Sequence, residues 1–163
     1  MAKIQRKQVV ERARKSKKAG RVPLQYGALC WRMSRKGPRI LLVTSRRSKR
    51  WVSPKGWPIK GLSAAQTAAR EAWEEAGVKG EVSPVSIGFY RYDKWVGRKR
   101  DVTLNVQVFP LQVTEQTKRF PEKDTRKLKW MSPRKAAKRV REPKLSKLIL
   151  KFGQSLEASG AQP

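Results

Sequence analysis

Two chemical signals mark the ends of one helix in this chain, and its composition dictates what it must pack against. Ser63 followed three residues later by Gln66 has the spacing of a capping box, and Gly77 suits the left-handed conformation that closes a helix. The spacing predicts a helix over 64–76. Ala65, Ala68, Ala69, Ala72 and Ala76 recur at helical spacing along one narrow side. Side chains that small let a helix lie close against a sheet.

The rest of the chain supplies the sheet. "YGALCWRM" and "RILLVTS" are apolar, β-branched runs separated by the turn-prone "SRKGP", so they read as a strand pair, and a short strand follows at "WVS". "VSIGFYRY" and "DVTLNVQVFPLQV" read as longer strands flanking the loop "DKWVGRKR". In the second, Val102, Leu104, Val106 and Val108 alternate with Thr103, Asn105 and Gln107, which gives one buried face and one that is wet or lines a site. "RKLKWM" reads as the last strand. Ser132 as N-cap and Pro133 at the first helical position open a helix in "MSPRKAAKRV", and another covers "PKLSKLILKFGQSLEA". Strands before and after a central helix, with more helix at the end, predict an α/β fold: a mixed sheet covered by helices on both faces.

The length, 163 residues, suits one domain with tails. Residues 1–22 are dominated by Lys and Arg and read as a flexible basic arm or a weak solvated helix, 23–153 as the folded domain, and 154–163 as a fraying tail. No run approaches the roughly 20 apolar residues of a membrane helix, and the N-terminus has no secretory core. No membrane insertion is expected. The lone cysteine, Cys30, sits in the apolar "GALCW" and reads as a small buried hydrophobe, which fits a reducing, cytoplasmic location.

With no histidine, the imidazole-based triads and the commonest zinc ligand are excluded. Chemistry must run on carboxylates, lysines or metal-bound water. A formal net charge of +28 predicts attraction to polyanions: nucleic acid, anionic lipid or highly phosphorylated metabolites. Against 40 Lys and Arg there are 12 Asp and Glu, yet Glu71, Glu74 and Glu75 fall within five positions of the alanine-faced helix. Glu71 neighbours both others on the helix surface, and each like-charged pair costs ~0.2–0.5 kcal/mol unless compensated. Arg70 can reach Glu74, and Lys79 lies beyond the helix end, so ordinary ion pairing on a solvated face accounts for part of the pattern. The loop "VSPKGWPIKGLS", punctuated by Gly and Pro, feeds the same helix. A loop that brings backbone close, followed by clustered hard oxygen donors, suits Mg²⁺ carrying substrate phosphates.

"GWPIKGLSAAQTAAREAWEEAGV", Gly56 to Val78, resembles the Nudix box, G-x₅-E-x₇-R-E-U-x-E-E-x-G-U with U a bulky aliphatic residue. Gly56, Arg70, Glu71, Glu74, Glu75, Gly77 and Val78 fall in register. Leu62 stands in place of the first Glu, and Ala72 in place of the bulky aliphatic residue. "GALCWR", "ILLVTSR", "RWVSPKG", "EEAGVKGEV" and "RKLKWM" extend the resemblance, which is greatest to the diphosphoinositol polyphosphate phosphohydrolases.

The resemblance implies an α/β/α sandwich, a Mg²⁺ or Mn²⁺ cofactor, and hydrolysis of a phosphoanhydride in a polyphosphorylated small molecule of the diphosphoinositol or diadenosine polyphosphate kind. Carried over by position, Glu71, Glu74 and Glu75 would be metal ligands, with Glu71 orienting or deprotonating the water and Arg70 holding the carboxylates. Gly56 would give close backbone approach, with its carbonyl on the metal. Leu62 removes a carboxylate that helps organise the metal cluster. Among the cations, Arg46, Lys55, Lys60 and Arg126 are the candidate phosphate contacts, while Arg47, Lys49, Arg50, Arg98, Lys99 and Arg100 suit a solvated surface equally well. Trp31 and Trp130 are expected in the core, Trp73 beside the alanine face, and Trp57 and Trp95 in loops where they could stack on a base. The competing class is a nucleic-acid-binding protein, or an RNA-acting Nudix enzyme with a degenerate box, using the basic surface. No feature specifies an oligomeric state.

Overall fold

The computed structural model describes the backbone of residues 2–95 and 101–160 and the side chains of 7–94 and 102–160. Arg98, Lys99, Arg100 and the Trp95 side chain lie outside the described residues. Along the chain the elements are α1 (Ala2–Lys18), β1 (Leu24–Ser34), β2 (Gly37–Thr44), β3 (Trp51–Val52), β4 (Lys55–Gly56), α2 (Ala64–Ala76), β5 (Val78–Val82), β6 (Gly88–Trp95), β7 (Asp101–Gln116), β8 (Leu128–Met131), α3 (Pro133–Arg139) and α4 (Pro143–Ala158).

The described strands form one mixed sheet. Its main path runs β3-β2-β1-β7-β5, with β4 on β1, β6 on β7 and β8 on β2. The β1–β7 pair is parallel, Leu24 opposite Asn105 to Trp31 opposite Gln112, and every other pair is antiparallel. Successive side chains of a strand point to opposite faces, so β1 serves two layers. The Trp31 ring meets Phe152 of α4 edge-on at 5.8 Å, while Cys30 on the other side feels the charge of Glu75 in α2. The sheet is therefore flanked by helices, as the strand and helix pattern predicts.

Helix α2 carries both predicted caps. The Ser63 hydroxyl accepts from the Gln66 N–H at 3.1 Å, and the Gln66 side chain accepts from the Ser63 N–H at 2.8 Å. Gly77 adopts φ 66° and returns its N–H to the Trp73 carbonyl. Ala68, Ala72 and Ala76 have no solvent exposure, so the alanine face is the contact face. On β7, Leu104, Val106 and Val108 are fully buried, as the alternation predicts.

Several elements differ from expectation. β4 is a two-residue bridge to β1, too short for any periodic signal. β5, "VKGEV", has two charges and a glycine among five residues, and its pairing with β7 shifts register between Lys79 and Gly80. Gly80 presses on the Gln112 carbonyl, where no Cβ would fit. Trp31 and Trp130, expected in the core, are half-buried at its edge because each ring lies beside a charged or peripheral partner. The Trp130 Nε1–H donates to Gln116 Oε1 at 3.0 Å, and the Arg32 guanidinium lies 4.1 Å from its ring centre. Trp73 is also half-buried, under the Lys79 ammonium at 4.7 Å.

The basic segment at the start is helical over Ala2–Lys18, with Val9 only 2% exposed. At the other end α4 continues to Ala158 and buries Leu156, so a boundary drawn at 153 falls inside this helix.

Ala72 has no room to grow. Ala72→Leu, which restores the box's bulky aliphatic residue, is expected to overpack the α2–sheet contact and destabilise by about 1–3 kcal/mol, read as a lower urea midpoint with an unchanged slope.

Candidate active site

The C-terminal half of α2 sets three carboxylates beside a cleft of about 1310 Å³. Glu71, Glu74 and Glu75 all line it, together with Lys55, Gly56 and Trp57 from the loop before the helix. The alanine face holds α2 so close to the sheet that Glu75 is 6% exposed. Gly56, on β4 opposite Tyr26, lies directly against the Glu71 carboxyl group, and a Cβ there would collide with it. Glycine is required at 56 by this approach.

A buried guanidinium compensates the acids. Arg126 donates from one terminal nitrogen to Glu75 Oε1 at 3.1 Å, from the other to the Thr44 carbonyl at 3.0 Å, and from Nε to Glu122 Oε2 at 3.2 Å. Glu122 also pairs with Arg46, and its own N–H donates to the Glu74 carbonyl at 3.0 Å. The residues after β7 are thereby fastened over the end of α2. Glu122 has no signal in the sequence, because its role depends on a loop that returns from β7 to β8.

Arg70, expected to hold the carboxylates, instead projects into solvent and makes no ion pair or hydrogen bond with them among the described residues. Leu62, where the box has the first Glu, leaves no carboxylate at that position. Arg126 takes the neutralising role from another part of the chain. Lys60 is exposed and does not line the cleft, because its turn, closed by the Leu62 N–H on the Ile59 carbonyl at 3.1 Å, leads away toward the N-cap of α2. Lys55 does line it, with its ammonium 3.9 Å from the centre of the Tyr92 ring. Arg46 and Arg126 line it too, each held by a carboxylate. Arg50 spans Glu142 and the Tyr92 ring, while Lys49 is exposed outside the cleft.

Two contributions were invisible in the sequence. Gln8, Val9 and Arg12 of α1 form part of the cleft wall, and the Arg12 guanidinium stands 5.0 Å from the centre of the Trp57 ring. Arg91 and Lys94 of β6 and Arg141 before α4 add further positive charge.

Burial pushes the Glu71 carboxyl up to about 7, reinforced by the charges of Glu75 and Glu74 and opposed by Arg126 and Lys55. Glu75 is raised in the same way, by burial first, against Arg126 and Lys55. Its Oε2 is buried with no hydrogen-bond partner at normal distance among the described residues, while the Lys55 backbone N–H also favours the charged form of this carboxyl group. Among the described residues no three acidic or thiol side chains converge into a ready-made cation cage. The donor set nevertheless fits a hard divalent cation: a buried carboxylate oxygen without a partner, a second crowded carboxylate, and a glycine backbone pressed against it.

A family model described as the NUDIX domain matches residues 23–152. The chain belongs to the Nudix family. Its relatives include "Nudix hydrolase 12, mitochondrial" of Arabidopsis thaliana, 28% identical over 72% of this chain and 60% of that protein. Another is "Diphosphoinositol polyphosphate phosphohydrolase 3-alpha" of Mus musculus, 33% identical over 53% of this chain and 49% of that protein. The chain spans about half the length of the curated relatives it matches. Among solved structures, a C. elegans Ap4A hydrolase binary complex superposes with a TM-score of 0.64 at 20% identity, covering 84% of this chain and 99% of that one. The E. coli dihydroneopterin triphosphate pyrophosphohydrolase gives 0.62 at 18%, over 82% and 96%. These likenesses establish the Nudix fold.

The raised carboxyls make stability pH-dependent. Glu71 binds its proton more tightly when folded, so its favourable contribution is complete below the ordinary carboxyl value of 4.5 and is lost as pH rises through about 7. In chelator, stability is expected to fall between pH 5 and pH 8. Glu71→Gln is expected to recover on the order of 2 kcal/mol at pH 8 and far less at pH 5, as measured by urea unfolding at both values.

Proposed function

We propose that this Nudix protein is a Mg²⁺-dependent hydrolase that cleaves a phosphoanhydride in a highly phosphorylated small molecule of the diphosphoinositol polyphosphate or diadenosine polyphosphate kind. The observation that carries this reading is the juxtaposition of a buried carboxylate, Glu75, and a half-buried one, Glu71, with a cleft to which nine Lys and Arg residues contribute. Breaking a phosphoanhydride needs a water aimed at phosphorus and cations facing the charge on the transferred and leaving oxygens.

Glu71 and Glu75, with Glu74 and the Gly56 carbonyl, would hold the Mg²⁺ or Mn²⁺. Bound there, the metal supplies Lewis acidity and an activated water. Glu71, crowded against the Gly56 backbone where the metal and its water would sit, is the residue suited to take the proton the water gives up. Arg46, Lys55 and Arg126 face the substrate phosphates, joined by Arg12 from α1. Trp57 offers a ring at the mouth of the cleft, where Arg12 already stacks, and would hold a base or cap the substrate. The printed names of the mouse relative and the C. elegans structure support the substrate class. With its only cysteine fully buried at position 30, the protein is proposed to work in the cytoplasm.

An RNA-acting enzyme with a degenerate box is the second reading, and the formal net charge of +28 with the basic segment at residues 1–22 is what favours it. Mg²⁺-dependent turnover across diadenosine polyphosphates, an inositol pyrophosphate, nucleotides and capped RNA separates the two. Glu75→Gln is expected to abolish nearly all turnover of the preferred substrate while leaving the fold intact; retained activity would remove Glu75 from the metal site. Leu62→Glu is expected to raise the rate at limiting Mg²⁺, checked by titrating the metal against both proteins.

A further inference from the structure

A second basic concavity, of about 320 Å³, lies where β2, β8 and α3 meet, and it shares no lining residue with the catalytic cleft. Arg39, Lys129, Lys135, Lys138 and Arg139 surround it, with Trp130 in its wall and no carboxylate. The catalytic cleft, by contrast, includes six acidic residues among its cations. None of the five cations of the groove forms an ion pair among the described residues, and the one side-chain hydrogen bond among them runs from Arg39 Nε to Ser34 Oγ at 3.4 Å.

The fold creates this concentration of charge deliberately in register. Met131 and Trp130 on β8 pair with Ile40 and Leu41 on β2, so Arg39 shares the sheet face of Trp130 while Lys129, one residue along this edge strand, reaches the rim from the opposite face. Ser132 caps α3 immediately after β8, so its first two turns bring Lys135, Lys138 and Arg139 to the same place. Five like charges around so small a space repel one another within a Debye length of ~8–10 Å. Among the described residues no carboxylate pairs with them.

We propose that this groove binds single-stranded nucleic acid, independently of the hydrolytic site. Several cations matched to phosphates beside an aromatic platform are the recurring requirements for a single strand. Trp130 meets the second: its N–H is taken by Gln116 and one face by Arg32, so the ring is held rigidly in the groove wall. An anionic membrane is the less suited polyanion. The exposed large apolar residues, Val22, Val85, Phe89 and Leu150, all lie outside the groove, and a concave surface meets a flat headgroup layer poorly.

The test is fluorescence anisotropy of a labelled 20-nucleotide oligouridylate with the full chain at several salt concentrations. Five phosphate contacts predict a slope of log affinity against log salt of about −3.5. The triple variant Lys129→Gln, Lys135→Gln, Lys138→Gln is expected to bind at least ten-fold more weakly, with the slope reduced by about 2. Hydrolysis of the small-molecule substrate should be unchanged, so the result does not depend on the proposed reaction. The matching arm variant Lys15→Gln, Lys17→Gln, Lys18→Gln is the control for the basic helix α1. Binding unaffected by the groove variant, or lost equally in the arm variant, would overturn the proposal. So would a groove variant that loses binding to phosphatidylserine vesicles while keeping its RNA affinity.

Discussion

The Arg126 guanidinium is the interaction on which the site depends. It joins the α2 carboxylate of Glu75, the end of β2 through the Thr44 carbonyl, and the loop after β7 through Glu122. Glu75 cannot be buried and ionised without a compensating charge, since an unpaired buried carboxylate shifts its equilibrium toward the neutral acid. Arg126 supplies that charge at one oxygen and leaves the other without a hydrogen bond. The fold thus tolerates its acids while keeping one donor atom uncommitted.

Several local features oppose stability at the same place. Three carboxylates occupy the C-terminal half of α2, and no base stands in its last turn, although the helix dipole favours the reverse. Burial and mutual repulsion both raise Glu71. Conflicts of this kind cluster where function overrides local preference. Here they are offset by the caps at both ends, by the close alanine contact with the sheet, and by cations drawn from distant parts of the chain.

The two basic concavities show how one excess of charge divides into unlike surfaces. In the cleft beside α2, Arg46, Arg50 and Arg126 are bound to glutamates, so their guanidinium groups are oriented before any ligand arrives. In the groove at β8 and α3 the cations face one another and solvent. Orientation restricts the geometry a ligand can take in the first case, and an unneutralised field acts on any polyanion in the second.

Much of the fold was legible because its signals are local. The capping box and Gly77 delimit α2, period-two alternation marks β7, and Ser132 with Pro133 opens α3; each works through neighbours within a few residues. The box register also placed Gly56, Glu71, Glu74 and Glu75 at one candidate site. β5 and β4 escaped because "VKGEV" and a two-residue bridge are ordered by their partners, not by their own patterns. Arg70 was assigned to the site by the box register and Lys60 by its place in the loop before α2, but the Arg70 side chain is exposed and makes no ion pair with the carboxylates among the described residues, and the 59–62 turn carries Lys60 away. Conversely, Glu122, Arg91, Lys94 and Arg12 reach the cleft from segments 13 to 44 residues outside the box. The sequence alone determined which carboxylates share a helix face, because 3.6 residues per turn fixes that. Only the tertiary structure decided which cation meets them, because charge pairing at a buried site is settled by which loop the sheet returns to it.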